Sequence, residues 1–357
     1  MKDILKHHIA AHPSITAQDM IKLCYQATFG AEHLFTNVTQ VKAYFEQEWQ
    51  RTEARDIPLT EPLSDNYIRI YLDAWKHQGL PADWLFQMFY LTASAHDDAS
   101  AQDLTERLNN VTRLAAEGDM PFSAEIWKKT CREYLQSGGG AVHHSEEYRI
   151  AELPSYRVVH IRYQYLIPLL IQLKNIHPQP NHAAVIAIDG RAASGKSTLA
   201  ELLADILRAG VIHMDDFFLP NELRTPDRLA TPGGNVHYER FEEQVLPHLK
   251  NNESFTYPVF SCSKMQLDGV RNVLSSPWRI VEGSYSHHPK LNQYMDIRVF
   301  CTVSPEEQMR RILSRNGESM AKLFAQRWIP MEENYFDTYQ ICQNSDMIIQ
   351  TENEGVI

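Results

Sequence analysis

Ala184-Val185-Ile186-Ala187-Ile188-Asp189-Gly190-Arg191-Ala192-Ala193-Ser194-Gly195-Lys196-Ser197-Thr198 is the stretch that decides how this chain is read. It opens on a continuous apolar run, the grammar of a strand buried on both faces. Gly190 to Ser197 then fits GxxxxGK[ST] without deviation, and Leu199, Leu202, Leu203, Ile206 and Leu207 follow at helical spacing. Strand, glycine-bearing loop and helix in that order make a phosphate-binding loop. Glycine lets the backbone wrap an anion so that successive N–H groups and the helix N-terminus point at it. Lysine at the seventh position reaches the β- and γ-phosphates of a nucleotide, and the hydroxyl after it can ligate Mg²⁺. The expected nucleotide-binding set is therefore Gly190, Arg191, Ala192, Ala193, Ser194, Gly195, Lys196, Ser197 and Thr198, with ATP and Mg²⁺ as the implied ligands.

Working outward, short β-branched runs recur at 211–214, 279–281, 297–303 and 347–349, separated by helical patterns. Such strands interleaved with helices predict a parallel sheet covered by helices on both faces, an α/β P-loop NTPase fold. The part before it reads as helices only: 20–29 behind a Thr16/Asp19 capping pair, 38–49, 67–77, 82–95, 101–116, a helix opened by Pro121 and Ser123, and 161–173. At 357 residues the chain has room for two domains. The boundary is expected at His177-Pro178-Gln179-Pro180-Asn181, which gives an all-α domain at 1–180 and the P-loop domain at 181–357.

Composition narrows the function classes. A formal net charge of −11 leaves no basic footprint for nucleic acid or anionic lipid. The five cysteines are odd in number, dispersed and never CxxC, which argues against a disulfide framework or zinc fold and for a reducing cytoplasm. No secretory leader is evident, and the most apolar stretch, 165–173, is too short to span a bilayer and contains Pro168. Arg outnumbers Lys after residue 180, which fits planar recognition of phosphates.

A phosphoryl-transfer enzyme needs an acceptor-activating carboxylate, a metal-side acid and cations over the moving group. Asp215 and Asp216 end the second strand run, where the carboxyl ends of strands line the ligand crevice. Either one could act as base, and Asp216 is a further candidate for the metal. Glu282 ends the third strand ahead of Gly283, in the form of a Walker B acid. After the fourth strand, Arg310, Arg311 and Arg315 cluster before Gly317, and Arg315 and Arg327 are the expected phosphate clamps. Between Asp216 and the third strand, Arg224, His237, Tyr238 and Tyr257 are expected to meet the acceptor.

Taken together, the P-loop, the Asp-Asp-Phe-Phe end of the second strand, the Glu-Gly end of the third and the Arg-rich helix after the fourth resemble the uridine kinase and phosphoribulokinase group of P-loop kinases, over residues 183–357. The resemblance implies transfer of the ATP γ-phosphoryl to a hydroxyl of a small molecule, often a nucleoside sugar, with Asp215 as the base and Glu282 helping to hold Mg²⁺. Typical uridine kinases carry no helical half in front. In that half His143-His144-Ser145-Glu146-Glu147-Tyr148-Arg149 concentrates titratable groups, Glu32 and His33 form a second, weaker cluster, and no HExxH motif appears. The leading expectation is a kinase acting on a small alcohol. An ATP-gated binding or regulatory module is the alternative, and a polynucleotide 5′-hydroxyl kinase is disfavoured by the acidic balance.

Overall fold

Thr16, Ser100, Ser123 and Ser145 each cap a helix start in the first of the two units into which the chain divides, Met1–Ile171 and Gln172–Ile357. The computed structural model describes residues 2–31, 37–95, 99–291 and 293–351, so Glu32 and His33 lie outside the described residues. The first unit runs α1 (Lys2–Ala11), α2 (Ala17–Phe29), α3 (Val38–Arg51), β1 (Thr60–Pro62), β2 (Tyr67–Tyr71), α4 (Leu72–His77), α5 (Ala82–Ser94), α6 (Ala101–Glu117), α7 (Ala124–Gln136), α8 (Glu146–Glu152) and β3 (Tyr156–His160), followed by a 3₁₀ turn (Ile161–Leu166) and α9 (Ile167–Leu173). Thr16 with Asp19 and Ser100 with Asp103 form reciprocal capping boxes at α2 and α6.

Helices dominate this unit as expected, but it is not all-helical: β1, β2 and β3 form a three-stranded antiparallel sheet. The expected helix over 67–77 is a strand that turns into a helix at Leu72. Tyr67-Ile68-Arg69-Ile70-Tyr71 is rich in β-branched and aromatic residues, and its partner is β3, paired Tyr67 to His160 and Tyr71 to Tyr156. That pairing spans most of the unit, so a local window could not reveal it. No described helix is long and apolar enough to cross a membrane.

The second unit runs β4 (Ala184–Gly190), α10 (Lys196–Leu207), β5 (Gly210–His213), α11 (Pro226–Ala230), α12 (Tyr238–Gln244), α13 (Leu246–Leu249), β6 (Phe255–Ser261), β7 (Gln266–Val273), β8 (Trp278–Glu282), β9 (Ile297–Thr302), α14 (Pro305–Leu323), a π-helical segment (Phe324–Trp328), α15 (Ile329–Tyr339) and β10 (Met347–Gln350). Five of these strands form a parallel sheet in the order β10-β9-β4-β8-β5, helices cover it, and β6 and β7 make a separate hairpin. All residues of β4 and β8 are buried, which explains the unbroken apolar run 184–188 of β4. β4 sits between β8 and β9, so the order reverses beside it and a crevice opens at its carboxyl end. Gly190 occupies that end at φ +138°, where a Cβ would lie 2.0 Å from the Cys301 carbonyl oxygen.

One residue before it, Asp189 is fully buried. Its Oδ1 accepts the Gly190 N–H at 2.7 Å and the Tyr285 N–H at 3.1 Å, while Oδ2 accepts the His287 N–H at 3.0 Å and the Tyr335 hydroxyl at 2.9 Å. A single carboxylate thus ties the start of the phosphate loop to the segment after β8 and to α15. Asparagine would turn an NH₂ group toward donors, so Asp189→Asn is expected to lower stability by about 2–3 kcal/mol in urea unfolding; an unchanged midpoint would contradict this account of the crevice.

Candidate active site

From Gly190 the chain passes through left-handed conformations at Ala193 (φ 57°) and Gly195 (φ 81°) before α10 begins at Lys196. These turns direct backbone N–H groups into the crevice at the helix N-terminus, the arrangement that receives phosphate. Lys196 Nζ donates to the carbonyl oxygens of Gly190 and Arg191, both at 2.8 Å, so the loop itself holds the ammonium over the anion position. The Ala192 N–H donates to Glu332 Oε2 at 2.9 Å, and Ser284 Oγ donates to Glu332 Oε1 at 2.8 Å. Burial raises the Glu332 carboxyl above its ordinary range, with Lys196 opposing. Arg191 makes a two-point ion pair with Glu333 and a 2.7 Å hydrogen bond to Thr302 Oγ1, so it braces the loop against α15 and β9.

On the metal side, Ser197 Oγ donates to Glu282 Oε2 at 3.0 Å, and His213 Nδ1 lies 2.6 Å from Glu282 Oε1. His213 and Glu282 are register partners on the adjacent strands β5 and β8, which is why they meet. A hydroxyl and a carboxylate beside a phosphate cradle are the hard oxygen donors that Mg²⁺ takes, and Ser197 and Glu282 are the residues that would hold it.

The two adjacent aspartates diverge. Asp215 is exposed and opens onto the crevice; desolvation first, and then Glu282, push its carboxyl up, with Lys196 opposing. Asp216 turns the other way and is buried. Arg271 binds it at two points, Nε to Oδ2 at 2.6 Å and Nη2 to Oδ1 at 3.0 Å, and the Tyr257 hydroxyl donates to Oδ2 at 2.9 Å. The expected metal role of Asp216 is therefore corrected: both of its oxygens are taken up in an ion pair outside the crevice.

The crevice is a cavity of about 490 Å³ lined by 192–198 of the loop together with Asp215, Glu282, Arg224 and Arg315. That volume suits a small ligand. Arg315 reaches it just before α14 breaks at Gly317 (φ 76°). Arg327 does not line it; it is exposed, its guanidinium 4.9 Å from the Trp328 ring centre. Three of the four expected acceptor contacts are also elsewhere. Tyr257 is in the core. Tyr238 is buried between Arg228, Lys290 and His288. His237 caps α12, accepting the Arg240 N–H. In their place Phe218, Asn235, Cys262, Met265 and Tyr285 line the cavity, together with Met320, Phe324, Trp328 and Glu332. Glu332 had no sequence motif to mark it, and Tyr285 was visible only as the residue two places after Glu282.

No family model matches the sequence, and no curated protein matches it. Solved structures are similar to about half of the chain. They include a possible uridine kinase from Bacillus stearothermophilus, 20% identical with a TM-score of 0.40 over 53% of this chain and 97% of the other. D-glycerate 3-kinase from Cryptococcus neoformans is 17% identical with a TM-score of 0.37 over 49% of this chain and 87% of the other. By its own topology, the second unit is a five-stranded parallel sheet with a phosphate-binding loop after β4. What the crevice does rests on its own geometry.

The two aspartates give opposite expectations for stability. At neutral pH the charged form of Asp215 is the one its surroundings penalise, so Asp215→Asn is expected to leave the protein as stable as the parent or more so. Asp216→Asn breaks the Arg271 pair and should cost about 1–3 kcal/mol. Denaturant unfolding of both variants checks this, and the reverse order would contradict the assignment.

Proposed function

We propose that the second unit is an ATP- and Mg²⁺-dependent phosphotransferase that moves the γ-phosphoryl group to a hydroxyl of a small molecule. The observation that carries this reading is the placing of Asp215 in one cavity with Lys196, Ser197 and Glu282. Loop N–H groups and Lys196 hold the nucleotide phosphates, and Arg315 supplies a further cation from the far wall. Ser197 and Glu282 would hold Mg²⁺, which when bound would supply the charge neutralisation that lets these acids face an anion. Asp215 accepts the proton of the acceptor hydroxyl as that hydroxyl's oxygen bonds to the γ-phosphorus. The bond to the bridging oxygen breaks, and its electron pair leaves with ADP. A carboxyl raised toward the working pH suits this role better than an ordinary aspartate.

Arg224 and Asn235 provide the polar groups at the acceptor end, with Phe218 and Tyr285 beside them. That mixture fits a small polyol or sugar, including the sugar of a nucleoside. The acidic balance of −11 speaks for a small-molecule acceptor over nucleic acid, and we read the setting as cytoplasmic.

Incubation with Mg-ATP and a pool of nucleosides, sugars and other small alcohols, followed by mass analysis, should reveal one phosphorylated product class. Nucleotide binding with no phosphorylated alcohol would overturn the reading in favour of an ATP-gated module. With the acceptor in hand, Asp215→Asn should lower kcat by about 10²–10⁴-fold while ATP affinity is kept. The parent kcat/KM should fall as pH drops through a value above the usual aspartate pKa of about 3.9, because only ionised Asp215 accepts the proton. An acid limb that persists in Asp215→Asn would assign the base elsewhere.

A further inference from the structure

The first unit contains a second constellation, independent of the phosphotransfer reading. His8 on α1 and His12, the residue just after its end, stand four apart; the His12 N–H still donates to the His8 carbonyl at 2.9 Å, and both side chains meet Glu61 of β1. The spacing is that of the HExxH motif without its glutamate, visible in the sequence as His8-Ile9-Ala10-Ala11-His12. Glu61 Oε1 lies 3.2 Å from His8 Nδ1 and 2.7 Å from His12 Nε2. His8 is fully buried, and its Nδ1 has no hydrogen-bond partner.

The outer nitrogens decide what the inner ones carry. His8 Nε2 is 2.8 Å from the Pro62 carbonyl oxygen, an acceptor only, so its proton sits there and Nδ1 presents a lone pair. His12 Nδ1 is 3.2 Å from Glu152 Oε2, another acceptor, which leaves the lone pair of the neutral ring on Nε2. Two nitrogen lone pairs and a carboxylate oxygen therefore converge on one point. A proton on His12 could join Nε2 to Glu61, but it leaves the buried Nδ1 of His8 facing the same oxygen with nothing between them. Complete burial opposes a second proton on His8. A cation shared by all three atoms satisfies every lone pair at once.

The surroundings are built to aim these groups. Arg69 Nη1, at 3.0 Å, and the Tyr71 hydroxyl, at 2.9 Å, hold Glu61 Oε2, which leaves Oε1 for the histidines. Ser14 Oγ holds Glu152 Oε1 at 2.5 Å, which leaves Oε2 for His12. Carboxylate and carbonyl partners on the far nitrogen of each histidine are the usual outer support of metal-binding imidazoles. We propose that His8, His12 and Glu61 bind one divalent transition-metal ion of the zinc class. Two imidazoles and one carboxylate are the ligand set of an open zinc site, with the fourth position left to water or a ligand. Bonds of about 2.0–2.1 Å place neighbouring tetrahedral ligand atoms about 3.3 Å apart, close to the Glu61–His8 separation. His12 and Glu152 are partly exposed, at 13% and 19% of their side chains, and give the ion a way in.

The test is calorimetric titration of the chelator-stripped full chain with Zn²⁺, without nucleotide, alongside Co²⁺ titration followed by visible absorption. One ion per chain, with a cobalt spectrum of four-coordinate nitrogen and oxygen ligation, is expected. Binding should survive Glu282→Gln, fall at least tenfold in His12→Ala, and weaken about 10–100-fold in Glu152→Gln. Unfolding of the metal-free variants shows whether each is folded; if His12→Ala is not, the partly exposed Glu152→Gln decides. No uptake by the parent, affinity unchanged in the folded variants, or loss of binding in Glu282→Gln would each overturn the proposal.

Discussion

A carboxylate buried without a cation survives only when hydrogen bonds replace all the water it has lost, and Asp189 meets that condition with four donors from three separate segments. The crevice depends on it. The same bonds that satisfy Asp189 fix where Gly190 starts the phosphate loop, where the chain turns after Glu282, and where α15 lies. From α15 come Glu332 and Glu333, which reach back to Ala192 and Arg191. The nucleotide loop is thus held from the strand beneath it and from a helix near the end of the chain.

The proposed binding of a polyanion by an acidic protein is less of a contradiction than the net charge of −11 suggests. The attraction is local: loop N–H groups, one lysine and an arginine in the same cavity. Asp215, Glu282 and Glu332 surround that position with negative charge, two of them carboxyls that burial pushes up. Such a site is poorly matched to a bare phosphate and better matched to one that arrives with a divalent cation.

The phosphate loop and the five parallel strands were legible because their signals are local: a fixed spacing of residue types and unbroken apolar runs. Asp215 and Asp216 were not separable, since adjacent residues share every local signal and what divides them is Arg271 and Tyr257, which arrive later in the chain. The aromatics chosen as acceptor contacts are the type that also fills cores, and Tyr257 and Tyr238 do that. The sheet of the first unit went unread because β2 pairs with a strand far along the chain. His8 and His12 were not singled out, because Glu61 and Glu152, which give their spacing meaning, lie on other elements.

The central claim is direct transfer between two bound substrates, with Asp215 taking a proton and never the phosphoryl group. Phosphorus stereochemistry tests it most directly: ATP made chiral at the γ-position with oxygen isotopes is turned over with the alcohol acceptor, and the product configuration is determined. The account predicts inversion. Retention, which needs a phosphorylated enzyme between two displacements, or label appearing only in inorganic phosphate, would contradict it.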